Sequence, residues 1–491
     1  MKKLVSVVLS TLLAFALVPL ATQPANAATE GDFTPLVDVD YSTYGNPSSN
    51  GVRDNSGNFY WTTWGNSTNL WVYNVTSGTN TLVHGFASDN SEGKASQSRL
   101  VFDSANNEIW GTTKLGGTNY CVWNVGHTAQ TCMDLGTIWK YDIDTATFSV
   151  VKTFDATTGG SIFEMTFDPV RRTLVGLGQI SPTDFTTFTN GQMWSYNIDT
   201  AAFNHWEIPA GISGAWNPKM AYSTSTGLVY VAASNGSGAY FGGQIYSFDF
   251  STGTFTAIKN YSSTDTFRTP TQITIDDSVS PPIMYIQTDA GEAGTTKGGI
   301  SVMNLDGTGY LDIKAFASPV LTGPRGANGM GTLFRSGVFF YGCRAYFVEP
   351  YLMPNADTTG YSAGVVSLYR EKVVQDDWAS FDQATASTFY GYGDVQFDSS
   401  DLSIISAGVY GIHQYKLKTA NQHCNYAKAK ADDVTVDYGA DTSNLDYTVD
   451  PTTPIASWAT PPTCAAYASQ ASTTALTGTL DAGTYVIKCS G

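Results

Sequence analysis

Five polar residues stand at one recurring place in this chain. Arg99, Glu164, Lys219, Gln272 and Asp394 each immediately precede a run that alternates apolar and polar side chains, with Asn50 at a looser sixth copy. If the runs are equivalent strands of a closed repeat, these residues share a ring at the mouth of its central channel. Donors and acceptors of mixed sign suit a neutral, hydroxyl-rich ligand such as a glycan, although a solvated channel also collects polar side chains. Glu164 and Asp394 are the carboxylates that an alternative activity, a polysaccharide lyase or hydrolase, would use; glycoside hydrolysis needs such a pair facing at roughly 5–10 Å.

Aromatic residues could add stacking to such a site. Trp64, Trp123, Trp216 and Trp378 fall in loops or insertions rich in Gly, Asn and Ser and are candidate ligand contacts, Trp216 first among them. Trp71, Trp139 and Trp194 occupy one equivalent repeat position and are expected to pack within the fold.

Other chemistry finds little support. The histidines, His84, His127, His205, His413 and His423, recur at no equivalent position. There is no Gly-rich phosphate loop, no nucleophile elbow with partners and no paired CxxC motif, so no cofactor and no metal is expected. Asp54-Asn55-Ser56-Gly57-Asn58 has some of the look of a calcium loop but lacks the distal Glu, and reads as a hairpin turn. Asp142, Asp144 and Asp199 read the same way.

The elements that must position the ring are legible from repetition. An apolar residue, two variable ones and usually an aromatic recur from Leu70, Ile138, Met193, Ile245, Ile300, Val366 and Ile412. The best copies end in an Asp-Thr turn, as in IWKYDIDT and MWSYNIDT. Spacings of roughly 45–70 residues leave chain for a four-stranded unit with loops, which is the grammar of a β-propeller. Ahead of most copies lies an inner hairpin, as in LVFDSANNEIWGTT, MTFDPVRRTLVGLG and MAYSTSTGLVYVAA. Asn, Asp and Gly at its reversal supply local side-chain bonds and positive φ. The expectation is an all-β chain: a seven-bladed β-propeller over 28–422, followed over 423–491 by a small immunoglobulin-like β-sandwich. A ring needs its ends joined, and the orphan strand TPLVDVDYST is predicted to complete the seventh blade near Leu36 to Val39.

The blade grammar, in DNSGNFYWTT and GTIWKYDIDT, resembles secreted bacterial β-propellers of the broad NHL, YVTN and virginiamycin B lyase-like group. That resemblance implies a fold shared by lyases, adhesins and plain binding proteins. The lyases it includes use a histidine with metal-binding carboxylates, a pattern from which this sequence departs. ADDVTVDYGADTSNLDYTV with LTGTLDAGTYVIKCSG resembles a bacterial immunoglobulin-like module of the MBG type, which implies a spacer or stalk.

Residues 1–27 read as a secretory signal peptide: Lys2 and Lys3, an apolar stretch from Leu4 to Leu20, and Ala25-Asn26-Ala27 for cleavage. No later run is long and apolar enough to span a membrane, so no membrane insertion is expected after cleavage. The formal charge of −17 makes nucleic acid a poor partner. Six cysteines in an exported chain suggest disulfides, by spacing Cys121 with Cys132 and Cys464 with Cys489, and by elimination Cys343 with Cys424. The resulting expectation is a secreted or cell-surface protein, non-catalytic, that recognises a glycan or another surface macromolecule. Ligand identity, any catalytic activity, a structural metal, the oligomeric state and whether the chain is a fragment are not legible in the sequence.

Overall fold

The computed structural model describes residues 33–38, 46–47, 51–64, 68–96, 98–123, 130–180, 191–209, 212, 216–234, 242–262, 265–290, 299–315, 338–341, 344–354, 361–369, 378–383, 396–398, 402–408 and 411–417. In the C-terminal region it describes 428–431, 447–450, 463–469, 472, 474–476 and 484–490. Two compact units are present, Met1–Asn421 and Gln422–Gly491.

The first unit is a β-propeller. Its regular sheets are four-stranded and antiparallel, and all but the closing one take their strands in chain order from the axis outward. One comprises Val101–Asp103, Glu108–Thr113, Thr137–Asp142 and Thr147–Thr153. The next three comprise Gly160–Asp168, Thr173–Ile180, Gln192–Asn197 and Phe203–Glu207; Trp216–Tyr222, Val229–Ser234, Gly243–Asp249 and Thr254–Tyr261; and Arg268–Asp276, Ile283–Ala290, Gly299–Asn304 and Leu311–Ala315. A fifth holds Val338–Tyr341, Arg344–Pro354, Tyr361–Tyr369 and Trp378–Gln383. The first strands Gly160–Asp168, Trp216–Tyr222 and Arg268–Asp276 lie side by side, which marks them as the inner edge.

The sixth four-stranded sheet closes the propeller. Gln396–Asp398, Ser403–Gly408 and Gly411–Lys416 are joined by Phe33–Asp38 from the other end of the chain, with Phe33 opposite Tyr415 and Val37 opposite Ile412. The expected closure thus falls on this strand; Val39 is outside the described residues.

Among the described residues the regular blades number six, where the sequence predicts seven. The first repeat forms a five-stranded sheet instead. Its inner position is broken in two: Asn46–Pro47 pairs with Phe59–Trp64 at Trp64 and Thr63, and Val52–Arg53 pairs with it at Tyr60 and Phe59. Asn69–Asn74 and Thr79–Gly85 complete the sheet.

Cores form between sheets and not within one. Val175, Leu177 and Met193 of one sheet pack on Met220, Val231 and Tyr246 of the next. Ala232 and Ile245 pack likewise on Ile273, Met284 and Ile286. The repeated tryptophans belong to this packing. Trp139 and Trp194 are fully buried and lie opposite Gly111 and Gly176, where a Cβ would meet the indole at 2.1 Å in both cases. Glycine is needed there for close approach.

At one end of the propeller the turns are short and latch neighbouring sheets. Arg172 donates to Asp103 of the preceding sheet at 2.9 and 2.7 Å, and its Nε reaches Asp199 at 2.9 Å. Asp277 accepts from the Ser223 and Ser225 hydroxyls and the Thr224 amide, each at 2.7 Å. Arg53 pairs with Asp398 across the closure. At the other end the second strands finish at Thr113, Ile180, Ser234 and Ala290, and the third strands begin at Thr137, Gln192, Gly243 and Gly299.

In the second unit, Lys428–Ala431 pairs with Tyr447–Asp450, and Thr463–Tyr467 with Val486–Ser490. Among the described residues no helix is long and apolar enough to cross a membrane.

Candidate functional site

Three of the polar residues singled out by the repeat occupy one rung of successive sheets, midway along the inner strands. Glu164 lies opposite Leu177, Lys219 opposite Ala232, and Gln272 opposite Gln287. Each follows a register shift: between Ile162 and Glu164, between Trp216 and Lys219, and between Pro270 and Gln272. Bulges re-aim side chains, and here they recur inside the inner strands Gly160–Asp168, Trp216–Tyr222 and Arg268–Asp276, so Glu164, Lys219 and Gln272 lie within those strands and not ahead of them as the sequence suggests. Arg99 stands two residues ahead of the strand Val101–Asp103, beside Ser98, whose hydroxyl meets that of Thr112 at 2.6 Å.

Three of the five expected residues meet. Glu164, with 1% of its side chain exposed, turns Oε2 to the Lys219 ammonium at 2.9 Å. Its Oε1 accepts from the Met165 amide at 3.2 Å and the Arg99 amide at 3.4 Å, with the Arg99 Nε at 4.0 Å. Arg99 and Lys219 keep 21% and 17% of their side chains exposed. The carboxylate is therefore enclosed, and the two cations form the face that solvent meets. Held in this way, Glu164 has no open face for a substrate. Gln272 is buried on the same rung. Asp394 and Asn50 are outside the described residues. Trp64, Trp123, Trp216 and Trp378, expected in loops, are instead end residues of the strands Phe59–Trp64, Asn119–Trp123, Trp216–Tyr222 and Trp378–Gln383.

Sequence reasoning missed a further cation. Lys114, just past the strand Glu108–Thr113, places its ammonium 4.2 Å from the centre of the Phe163 ring, and Phe163 is the bulged residue next to Glu164. Burial holds the Lys114 pKa below the ordinary lysine value. Among the described residues it has no carboxylate partner. The repeat gave no signal for it, because the corresponding places after Ile180, Ser234 and Ala290 fall in unrelated loop sequence.

The remaining candidates have structural roles or lie apart. His84 pairs with Glu92 at 2.9 Å and stacks on Phe148 at 3.8 Å. His205 is on an outer strand opposite Trp194, and His413 is buried opposite Ser406. His127 and His423 are outside the described residues. Asp54 Oδ1 accepts from the Ser56 and Asn58 amides at 2.8 and 2.9 Å, a turn and not a cation loop. Asp142 likewise accepts from the Thr145 amide at 3.0 Å. Among the described residues no group of three or more His, Cys, Asp or Glu is placed to hold a metal. Cys121 stands directly opposite Cys132, and Cys464 opposite Cys489. Cys343 and Cys424 are outside the described residues.

No family model matches the chain, and no curated protein matches it. Solved structures similar to it include TolB from Acinetobacter baumannii, with 10% identity and a TM-score of 0.37, covering 70% of this chain and 65% of that one. The β-propeller domain of the Trilobed protease from Pyrococcus furiosus has 11% identity and a TM-score of 0.40, covering 75% and 95%. The extracellular domain of the putative hybrid two component system BT3049 from B. thetaiotaomicron has 10% identity and a TM-score of 0.46, covering 83% and 46%. The chain thus spans less than two thirds of the length of TolB and under half that of the BT3049 domain. All three scores lie below 0.5, and the propeller assignment rests on the sheet topology of the chain itself.

Proposed function

We propose that this chain is an exported, non-catalytic binding protein of the cell surface or medium, which recognises carbohydrate or another surface macromolecule through the propeller face that bears Arg99 and Lys219. The observation that carries this reading is the Arg99–Glu164–Lys219 cluster. Residues from three successive sheets converge at the inner strands, and the one carboxylate among them is locked by two backbone amides and an ammonium. Such a group positions its neighbours and is poorly placed to exchange protons with a substrate.

Several finer features belong to the same reading. Cys121–Cys132 and Cys464–Cys489 are cross-strand disulfides, because directly opposed residues of an antiparallel pair stand within the Cα separation a disulfide bridges. Residues 1–27 are removed on export, the propeller is of the NHL-like group, and the second unit is an immunoglobulin-like module of MBG type that acts as a spacer.

The test is a glycan-array screen of residues 28–491, with reducing-end and unsaturated-product detection on every polysaccharide captured. Capture without turnover is the expected result. Turnover abolished by Glu164→Gln would replace this reading with an enzymatic one.

A further inference from the structure

We propose that Lys114 is a carbonyl-trapping amine, which condenses with an aldehyde carbon such as that of an open-chain sugar. This role is independent of the binding reading above and needs neither Arg99 nor Lys219. Lys114 directly follows the strand Glu108–Thr113, and backbone bonds fix the place from which its side chain starts. Its amide donates to the Ala95 carbonyl at 3.1 Å, and Leu115 exchanges bonds of 3.0 and 2.7 Å with Lys94. Its ammonium lies 4.2 Å from the centre of the Phe163 ring. Lys114 is half-buried, which leaves it open to a small reagent.

The absence of a counterion sets Lys114 apart among the described residues. Lys94, Lys140, Lys219 and Lys259 each reach a carboxylate, those of Asp134, Glu108, Glu164 and Asp265. An ammonium paired in this way holds its proton, and its lone pair is closed to a carbon electrophile. Lys114 has the ring and no carboxylate, and burial lowers its pKa with no charged group contributing. A desolvated lysine without an acid partner gives up its proton most readily and is the form of lysine that makes Schiff bases. The reaction balances without an oxidant or reductant. The ammonium proton goes to solvent, the nitrogen lone pair attacks the aldehyde carbon as the carbonyl π bond opens, and the carbinolamine loses its oxygen as water to leave an imine. An imine nitrogen is a weaker base than the amine and is uncharged at neutral pH, so the burial that penalises the ammonium favours the product.

The experiment treats residues 28–491 with a limiting amount of glyceraldehyde and with sodium cyanoborohydride, which reduces each imine to a stable secondary amine. Peptide mass mapping then gives the labelling rate at each lysine. The comparator is Lys152, whose ammonium also lies over an aromatic ring, Phe203, at 4.4 Å, but whose charge helps to hold the Asp155 pKa down. Expected at pH 7 is labelling of Lys114 about fivefold faster than of Lys152, and faster in the folded chain than in the same chain unfolded in guanidinium. Raising the pH should speed Lys152 more than Lys114, because the rate at the less basic amine levels off sooner. Lys114→Arg, which keeps a cation on the ring, should remove the fast label and leave Lys152 unchanged, with thermal unfolding to show that the variant is folded. Labelling of Lys114 no faster than that of Lys152, slower labelling of Lys114 on folding, or rates that rise in parallel with pH would each overturn the proposal.

Discussion

Glu164 is surrounded so that its charge holds other groups in place. The enclosed member of the pair is the carboxylate, and the order of mutational costs follows from that. Glu164→Gln keeps the shape and removes the ionic part of the contact, and is expected to lower stability by about 2 kcal/mol. Lys219→Met should cost more, because it leaves a buried carboxylate without its ammonium. Equilibrium urea unfolding checks the order; a cheaper Lys219→Met would mean that Arg99 alone suffices to hold Glu164. At this scale the sequence revealed where Arg99, Glu164 and Lys219 stand, because each precedes an alternating run that can be aligned by eye. It did not reveal that they touch. That depends on bulges at Phe163 and ahead of Lys219, and a one-residue shift in pairing leaves no mark on apolar–polar alternation.

Between sheets, a handful of ionic latches at the short-turn end supplement the apolar packing. Arg172 serves two carboxylates, Asp103 across the gap between sheets and Asp199 within its own, and these contacts hold its pKa above the ordinary guanidinium value. Asp103 is 2% exposed, so this pair is less screened than a surface one. A double-mutant cycle of Asp103→Asn with Arg172→Met, read by chemical denaturation, should give a coupling of about 1–3 kcal/mol. A value near zero would mean that the indole and aliphatic packing alone sets the sheet spacing. No sequence pattern announces such a pair. The hairpins themselves were legible because Asp, Asn and Gly mark the reversals, and the closing strand was legible because it had no hairpin partner. The first sheet was misjudged because GVRDNSGNFYWTT reads as one inner strand and a turn, whereas the inner position is built from two short pieces, Asn46–Pro47 and Val52–Arg53.

For the molecule as a whole, the aspartates set a lower limit of pH. Burial by itself would raise the pKa of Asp277 and of Asp265. The Ser225 and Ser223 hydroxyls and the Thr224 amide outweigh it for Asp277, and the Ser262 amide and the Lys259 ammonium do so for Asp265. Asp155 and Asp249 are lowered in the same manner by nearby Thr and Ser groups. A carboxyl whose folded pKa lies below its unfolded value stabilises the fold fully above the unfolded value, about 3.9, and loses that contribution as pH falls through the folded one. Thermal midpoints measured against pH should therefore hold from neutrality to about pH 4 and drop below it. Midpoints already falling between pH 7 and 5 would overturn the assignment of the acid limit to these aspartates.

The strand that closes the propeller also decides how it would respond to load. Phe33 is paired with Tyr415, so the first residue of one strand and the last rungs of the other lie at the same end of an antiparallel ladder. Tension applied through the chain before Phe33 and after Lys416 would open that ladder as a zipper, one hydrogen-bonded rung at a time, and would not shear all rungs together. The seam thus yields at a lower force than the same ladder would if loaded in shear. Once Phe33–Asp38 is peeled away, the strand Gly411–Lys416 becomes an exposed edge, and a tethered copy under pull would present it to any neighbouring chain with a strand to add.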